Sequence, residues 1–415
     1  MKVCAWTAMP ATLSLVVFLC ATLVPPASAA PDEELLGKAT GYPIGERRSW
    51  FYDEHTRVGS FSNLDTILPH NRIEKSATPS PLPRAGVELQ LAYRFDNRLL
   101  GIDDFLARQR ITGLAILKDG QLLVERYQYD RKPTHRFVSH SMAKSITSLA
   151  VGLALSEGKI ASLDDTVSKY VPKLAGCAYG DTSIRNILRM ASGVRFAETY
   201  DGKDDLAKFG AIRASEGSNA AICAFKDRDA AQGSRFHYAS SETVVLAALM
   251  QAVTKSTLSA YVSAKLWQPM GAEADATWIT SRDGLEIGSG SFNAVLRDYA
   301  RLGILLANDG AINGRQVLPK DYVLEATTWR RQPEAFAPRR ATPYFGYGYQ
   351  FWTYPGEKRR FALLGVYGQS IFVDPELKLV MVLTSVAKSA SVGKESLAGE
   401  RDALWRGLVA KFGAW

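Results

Sequence analysis

Cysteine is scarce in this chain: four are present in 415 residues. Cys4 and Cys20 fall in an N-terminal apolar stretch, which leaves Cys177 and Cys223, and no Cys-x-x-Cys spacing occurs. The histidines stand apart at 55, 70, 135, 140 and 237, and His-Glu-x-x-His is absent. Clustered ligands of those types are what a zinc site needs. Metal-dependent hydrolysis is therefore disfavoured, and no metal or cofactor is expected. A Gly-x-Ser-x-Gly elbow is missing too, which disfavours the strand-to-helix nucleophile turn of α/β-hydrolases. Long basic runs are absent despite a net charge of +8; Arg330-Arg331, Arg339-Arg340 and Lys358-Arg359-Arg360 are local. That pattern gives no nucleic-acid arm. It reads as a solvated basic surface, or more sharply as a preference for anionic cell-envelope polymers. Beyond the N-terminus no stretch is long and apolar enough to span a bilayer.

What is present begins with Met1-Lys2, an apolar core through Leu13–Leu19, and the small residues Ala27-Ser28-Ala29-Ala30. This is the pattern of a secretory signal peptide over residues 1–30. Val17-Phe18-Leu19 before Cys20 fits a lipoprotein cleavage box poorly. The expectation is a soluble periplasmic or secreted protein, with no stable membrane insertion after signal removal. In such a compartment Cys177 and Cys223 either form one disulfide or are two buried thiols.

Residues 31–85 are Pro-rich and charge-interleaved and read as an extended arm packing on the domain behind it. Residues 86–415 read as one domain. Asp119-Gly120 between the apolar runs Thr112–Lys118 and Gln121–Tyr127 predicts a hairpin. From about 163 to 318 the period is helical, with helices expected at Thr182–Met190, Ser241–Val253, Tyr261–Trp267 and Leu296–Leu306. Leu163–Val167 reads as a capped helix start. Strand character returns at Gly346–Trp352, Gly368–Asp374 and Leu379–Thr384, before a closing helix at Ala398–Phe412. Strands at both ends with a helical middle imply an α+β fold: an antiparallel sheet flanked by helices, with an inserted all-helical subdomain.

The stretch Ser139-His140-Ser141-Met142-Ala143-Lys144-Ser145 precedes an apolar run to Leu155. Residues three apart share a helix face, so Lys144 can lie beside the Ser141 hydroxyl. Ser-x-x-Lys also occurs at Ser156–Lys159, Ser385–Lys388 and Ser391–Lys394, so spacing alone does not select Ser141. A serine hydroxyl needs a base, and Tyr238, before the helix at 241, is the second candidate. A lysine is a base at neutral pH only if the site depresses it, and a Ser–Lys–Tyr cluster can share one proton.

These motifs resemble the serine β-lactamase/penicillin-binding-protein superfamily, on its class C, esterase and 6-aminohexanoate-dimer hydrolase side. Ser141-Met142-Ala143-Lys144 resembles its nucleophile motif and Tyr238-Ala239-Ser240 its Tyr-x-Asn/Ser element. Leu188–Val194, Leu266–Gly271 and Leu296–Gly303 are further ordered matches. The resemblance implies a β-lactamase/transpeptidase-like fold, catalytic Ser141, Lys144 and Tyr238, and an oxyanion hole from the amides of Ser141 and Val366. Where the family has Lys-Thr-Gly or His-x-Gly, this chain reads Leu364-Gly365-Val366. The glycine stays and the charge is gone, which leans away from β-lactams. Gly365, Asn293 and Tyr200 are the expected substrate-side residues, Asn293 being equally a helix cap.

The expected function is an exported serine hydrolase acting through an acyl-enzyme on a small amide or ester. Alternatives are a β-lactamase or D-Ala-D-Ala carboxypeptidase of the same fold, and a non-catalytic cell-envelope binding protein. No nucleic-acid partner is expected, and the sequence leaves the oligomeric state open.

Overall fold

The computed structural model describes Met1 and residues 30–391, 393 and 395–415. The expected signal peptide lies almost wholly outside the described residues. Period-2 alternation builds the centre. In Leu379–Ser385, Val380 and Val382 face one apolar core while Met381 and Leu383 face another. Ile111–Lys118 does the same, with Ala115 and Leu117 on one side and Leu114 and Ile116 on the other. Successive strand side chains point to opposite faces, so a strand apolar at every position must be covered twice. These two strands pair antiparallel through Met381↔Ile116 and Val382↔Ala115.

They lie inside a seven-stranded antiparallel sheet. Its order is Gly346–Tyr347, Trp352–Thr353, Phe361–Leu364, Ser370–Asp374, Leu379–Ser385, Ile111–Lys118, Gln121–Tyr127. Asp119 and Gly120 both take positive φ, 53° and 77°, as the tight hairpin turn requires. The C-terminal helix Ser396–Phe412 covers one face with Leu404, Trp405 and Leu408. Leu296–Ala307 and Met142–Ser156 contribute to the core on the other. The fold is thus α+β, an antiparallel sheet between helices.

Met142–Ser156 is buried from Met142 through Ala154, the mark of a helix running through a core. It packs on Ser240–Thr254, itself buried from Ser240 through Met250. Among the described residues no single helix is long and apolar enough to cross a membrane.

Three expectations change. The stretch from 163 to 318 is not all helical: Ala276–Ile279 and Phe292–Val295 are strands. With His70–Ile73 and Arg136–Val138 they form a second, four-stranded sheet. Four-residue strands are too short to show a period against helical surroundings. Gly346–Trp352 is a tight hairpin, Gly346↔Thr353 and Tyr347↔Trp352, rather than one strand. Gln350 turns it with φ 66°, held by amide bonds from its own N–H to Leu188 and from Tyr349 to Ala326. The arm at 31–85 is not simply extended; it carries the helices Arg57–Ser62 and Leu64–Ile67. Smaller differences lie at Leu163–Val167, followed by a single 3-10 turn at Val167–Lys169, and in the middle, where Asp205–Glu216 and Ser218–Ala224 form a further helical pair. Cys177 and Cys223 are bonded.

Candidate active site

Two buried helices that pack together each present one functional side chain just before their first turn. Ser141 stands immediately before Met142–Ser156. Tyr238 stands two residues before Ser240–Thr254. The lead-in to Ser141 is fixed by the second sheet: Arg136–Val138 pairs with Phe292–Val295, and the Ser139 amide donates to Phe292 O at 2.7 Å.

Lys144 Nζ donates to Ser141 Oγ at 2.9 Å and to Ser289 O at 2.8 Å. Its ammonium also lies 5.0 Å from the centroid of the Tyr238 ring. Lys144 is only 2 % exposed. Burial pulls its pKa down to about 8, against a smaller upward pull from Glu198. Burial acts oppositely on an acid that becomes an anion, and Tyr238 is pushed up by burial and by Glu198, with Ser141 pulling back. The lysine is therefore the member of the trio that can shed a proton near neutrality, while the phenol keeps its own.

The other Ser-x-x-Lys pairs do not assemble. Ser156 Oγ bonds Leu153 O, while Lys159 pairs with Glu157. Ser385 Oγ bonds Arg110 O, while Lys388 turns to Asp32. Lys394 lies outside the described residues.

Gly365 ends the strand Phe361–Leu364 against the nucleophile turn. A Cβ there would sit 2.5 Å from Ser139 O and 3.1 Å from Ser141 N, so only glycine permits this approach. Val366 follows as the first residue of a short 3-10 turn. Among the described residues neither the Ser141 nor the Val366 amide donates to another group of the chain. Two free N–H groups beside a serine hydroxyl can hold the oxygen of a carbonyl under attack. Leu364, the uncharged last residue of the strand Phe361–Leu364, is partly buried against the second apolar core.

Tyr200 and Asn293 fall differently. Tyr200 adopts φ 61° and its hydroxyl donates to Glu198, near Tyr238 but without a bond to Ser141. Asn293 is 2 % exposed. Its Nδ2 donates to Thr277 Oγ1 at 3.2 Å and Ser291 O at 3.1 Å. It makes no hydrogen bond to the Ser–Lys–Tyr cluster, and Val295, not Asn293, occupies the cap position of Leu296–Ala307. Its Nδ2 is taken by the sheet that carries it, while its buried Oδ1 has no partner among the described residues.

Three participants escaped sequence reasoning. Glu198 accepts from Ser240 N at 2.6 Å and Ser240 Oγ at 2.7 Å, pinning the helix start that presents Tyr238. Its only signal was a place two residues before Tyr200, which no spacing rule selects. Ser289 acts through a backbone carbonyl, which residue type cannot announce. Gln350 accepts from Thr243 Oγ1 at 2.8 Å, and its carbonyl accepts from Ser145 at 2.6 Å, so it ties both site helices together. His140 is enclosed by Trp50, Phe51, Phe61 and Tyr367. Burial and the nearby Arg57 and Lys144 charges push its pKa down to about 3. It makes no bond to Ser141 Oγ, as neighbours on a helix start would suggest.

Comparison with known proteins identifies the family. Residues 102–400 match the Beta-lactamase family model. The chain is 27% identical over 362 residues to a 6-aminohexanoate-dimer hydrolase of Paenarthrobacter ureafaciens, covering 84% of this chain and 89% of that protein. A solved structure from Bacillus anthracis, provisionally assigned as a 6-aminohexanoate-dimer hydrolase, superposes with a TM-score of 0.76 at 21% identity, over 88% of this chain and 96% of that one. EstCE1, a hydrolase with promiscuous acyltransferase activity, superposes with a TM-score of 0.57 at 18% identity, over 71% and 94%. The last two are likenesses of fold. The chain belongs to the beta-lactamase family and is a serine hydrolase.

Proposed function

We propose that this protein hydrolyses small linear amides or esters through an acyl-enzyme on Ser141. The observation that carries the reading is the 2.9 Å bond between Ser141 Oγ and Lys144, a buried lysine brought to about 8. In this mechanism Lys144 acts as a neutral amine and takes the proton of Ser141. Oγ attacks the substrate carbonyl carbon, and the oxyanion is held by the amides of Ser141 and Val366. The proton passes to the leaving nitrogen or oxygen by way of Lys144 and the Tyr238 hydroxyl, and the scissile bond breaks. Water then repeats the cycle and frees the acid and Ser141.

The linear substrate is supported by Leu364, which offers no charge to a β-lactam carboxylate, and by the Paenarthrobacter relative, named a 6-aminohexanoate-dimer hydrolase. Export is part of the proposal. It is supported by the signal-like residues 1–30 and by the Cys177–Cys223 bond, which suits an oxidising compartment. The test is hydrolysis of short p-nitrophenyl esters and linear p-nitroanilides by wild type and Ser141→Ala. Loss of turnover in the variant is expected. Equal rates would refute the assignment, and efficient nitrocefin turnover would refute the preference for linear substrates.

A further inference from the structure

The two amides that would hold the oxyanion are flanked by two residues in the same uncommon conformation. His140, just before Ser141, takes φ 43°, and Tyr367, just after Val366, takes φ 58°. Neither is glycine, so each sits in a left-handed region that an L-residue keeps only when its surroundings hold it there. The two segments also touch: a Cβ on Gly365 would lie 3.1 Å from Ser141 N. Both side chains are buried, and their ring centroids lie 5.7 Å apart. His140 Nε2 is buried and has no hydrogen-bond partner among the described residues, so packing holds that edge of the ring. A buried polar atom left without a partner calls for an explanation beyond stability.

What surrounds the pair comes from far away in the chain. Phe51 and Phe61 of the N-terminal arm each pack on both rings. Between centroids, Phe51 lies 5.6 Å from His140 and 5.1 Å from Tyr367, and Phe61 lies 4.7 Å and 5.3 Å from the same two. Trp50 stacks on His140 at 6.2 Å with an interplanar angle of 8°. Tyr367 Oη donates to Phe51 O at 2.9 Å. The Arg57 guanidinium lies 4.5 Å from the Tyr367 centroid and donates to Ala387 O at 2.7 Å, and the Ala387 amide donates to Tyr367 O. The arm thus grips Tyr367 by side chain and backbone, and His140 by its ring. Residues 50–61 lie outside the 102–400 stretch that matches the family model, so the grip is an addition to the matched domain.

We propose that Phe51 and Phe61 are positioning residues for the oxyanion hole: by clamping His140 to Tyr367 they fix the spacing of the Ser141 and Val366 amides. The proposal rests on the acyl-enzyme reading of Ser141 and adds the N-terminal arm to the machinery of that site. Donors of this kind work only when aimed at the place where the oxyanion forms. A misplacement of about 1 Å can cost about 100-fold in rate. Loosening the clamp therefore acts on the transition state and leaves substrate binding in place.

The experiment measures kcat and KM for a neutral p-nitrophenyl ester, and kcat/KM for that ester against its thionoester, whose sulphur accepts hydrogen bonds weakly. Phe51→Leu and Phe61→Leu should lower kcat about 10- to 100-fold with KM little changed, and should shrink the preference for oxygen over sulphur. Phe105→Leu is the control: Phe105 is buried in the same apolar core without belonging to the rings around His140 and Tyr367. It should lower the thermal midpoint and leave kcat and the oxygen preference as in wild type. Tyr367→Phe removes only the bond to Phe51 O and keeps the ring, so it should fold and lose about 3- to 10-fold in kcat. Wild-type kcat and oxygen preference in both Leu variants at 51 and 61 would overturn the proposal. The same losses in Phe105→Leu would overturn it, as would a loss confined to KM. If neither of those two variants folds, Tyr367→Phe decides alone, and an unchanged kcat there overturns the clamp. Turnover that survives Ser141→Ala would remove the acyl-enzyme reading itself, whereas Ser141-dependent turnover indifferent to the arm removes the clamp alone.

Discussion

Lowering the pH should switch the enzyme off through Lys144. A lysine in water titrates near 10.4, so at pH 7 roughly one molecule in 2,500 is neutral. Burial at 2 % exposure brings Lys144 to about 8, so about one in ten is then ready to accept a proton. The fold supplies about a 250-fold gain in competent enzyme before any chemistry. The expected profile of kcat/KM rises about tenfold per pH unit on its acid side and levels off above about 8. Glu198 pulls Lys144 upward, so Glu198→Gln should move the limb to lower pH. The assay is initial-rate hydrolysis of a neutral p-nitrophenyl ester from pH 5 to 10, read at the isosbestic wavelength. A limb near 10.4 would refute the argument, as would a flat profile or an upward move in Glu198→Gln. Stability gives an independent check with a definite sign. Below about 8 both folded and unfolded chains hold this proton, and the folded state bears the full penalty, about 3 kcal/mol at 1.36 kcal/mol per pKa unit. Between about 8 and 10.4 the unfolded chain binds more protons, so stability rises with pH. Lys144→Met has no such group, so wild type should gain stability relative to it across that window in urea titrations.

Val366→Pro removes one amide donor at the first position of a turn, where proline's φ is tolerated; kcat should fall about 10²–10³-fold with little loss of stability. Gly365→Ala drives a methyl to 2.5 Å from Ser139 O, and both activity and thermal midpoint should drop. Opening the Cys177–Cys223 bond, which closes a 46-residue separation, should cost up to about 4 kcal/mol on the chain-entropy model. Urea midpoints with and without reductant measure it, and Cys177→Ser should abolish the difference.

Much of this architecture was legible because it depends on local pattern. Asp119-Gly120 demands positive φ, Leu379–Thr384 is apolar at nearly every position, and Met142–Leu155 is apolar almost all round. Ser141, Lys144 and Tyr238 were legible for a related reason: each stands at the start of a helix the pattern reveals. The second sheet was hidden because its strands are short and held by long-range pairing, His70–Ile73 with Ala276–Ile279. Asn293 was ambiguous because an asparagine before a helix looks the same whether it caps, binds substrate or bonds a neighbouring strand; here Val295 takes the cap position and the Asn293 Nδ2 bonds Thr277. Glu198 and the Ser289 carbonyl became visible only once the loops carrying them were folded against Lys144 and Tyr238.

The central claim is that Ser141 carries the acyl group during turnover. Protein quenched early in reaction with a slowly hydrolysed activated ester, then digested and analysed by mass spectrometry, measures this directly. One acyl adduct on the peptide bearing Ser141, absent from Ser141→Ala and accumulating in a pre-steady-state burst, is the expected result. Turnover without that adduct, or an adduct that persists in Ser141→Ala, would contradict it.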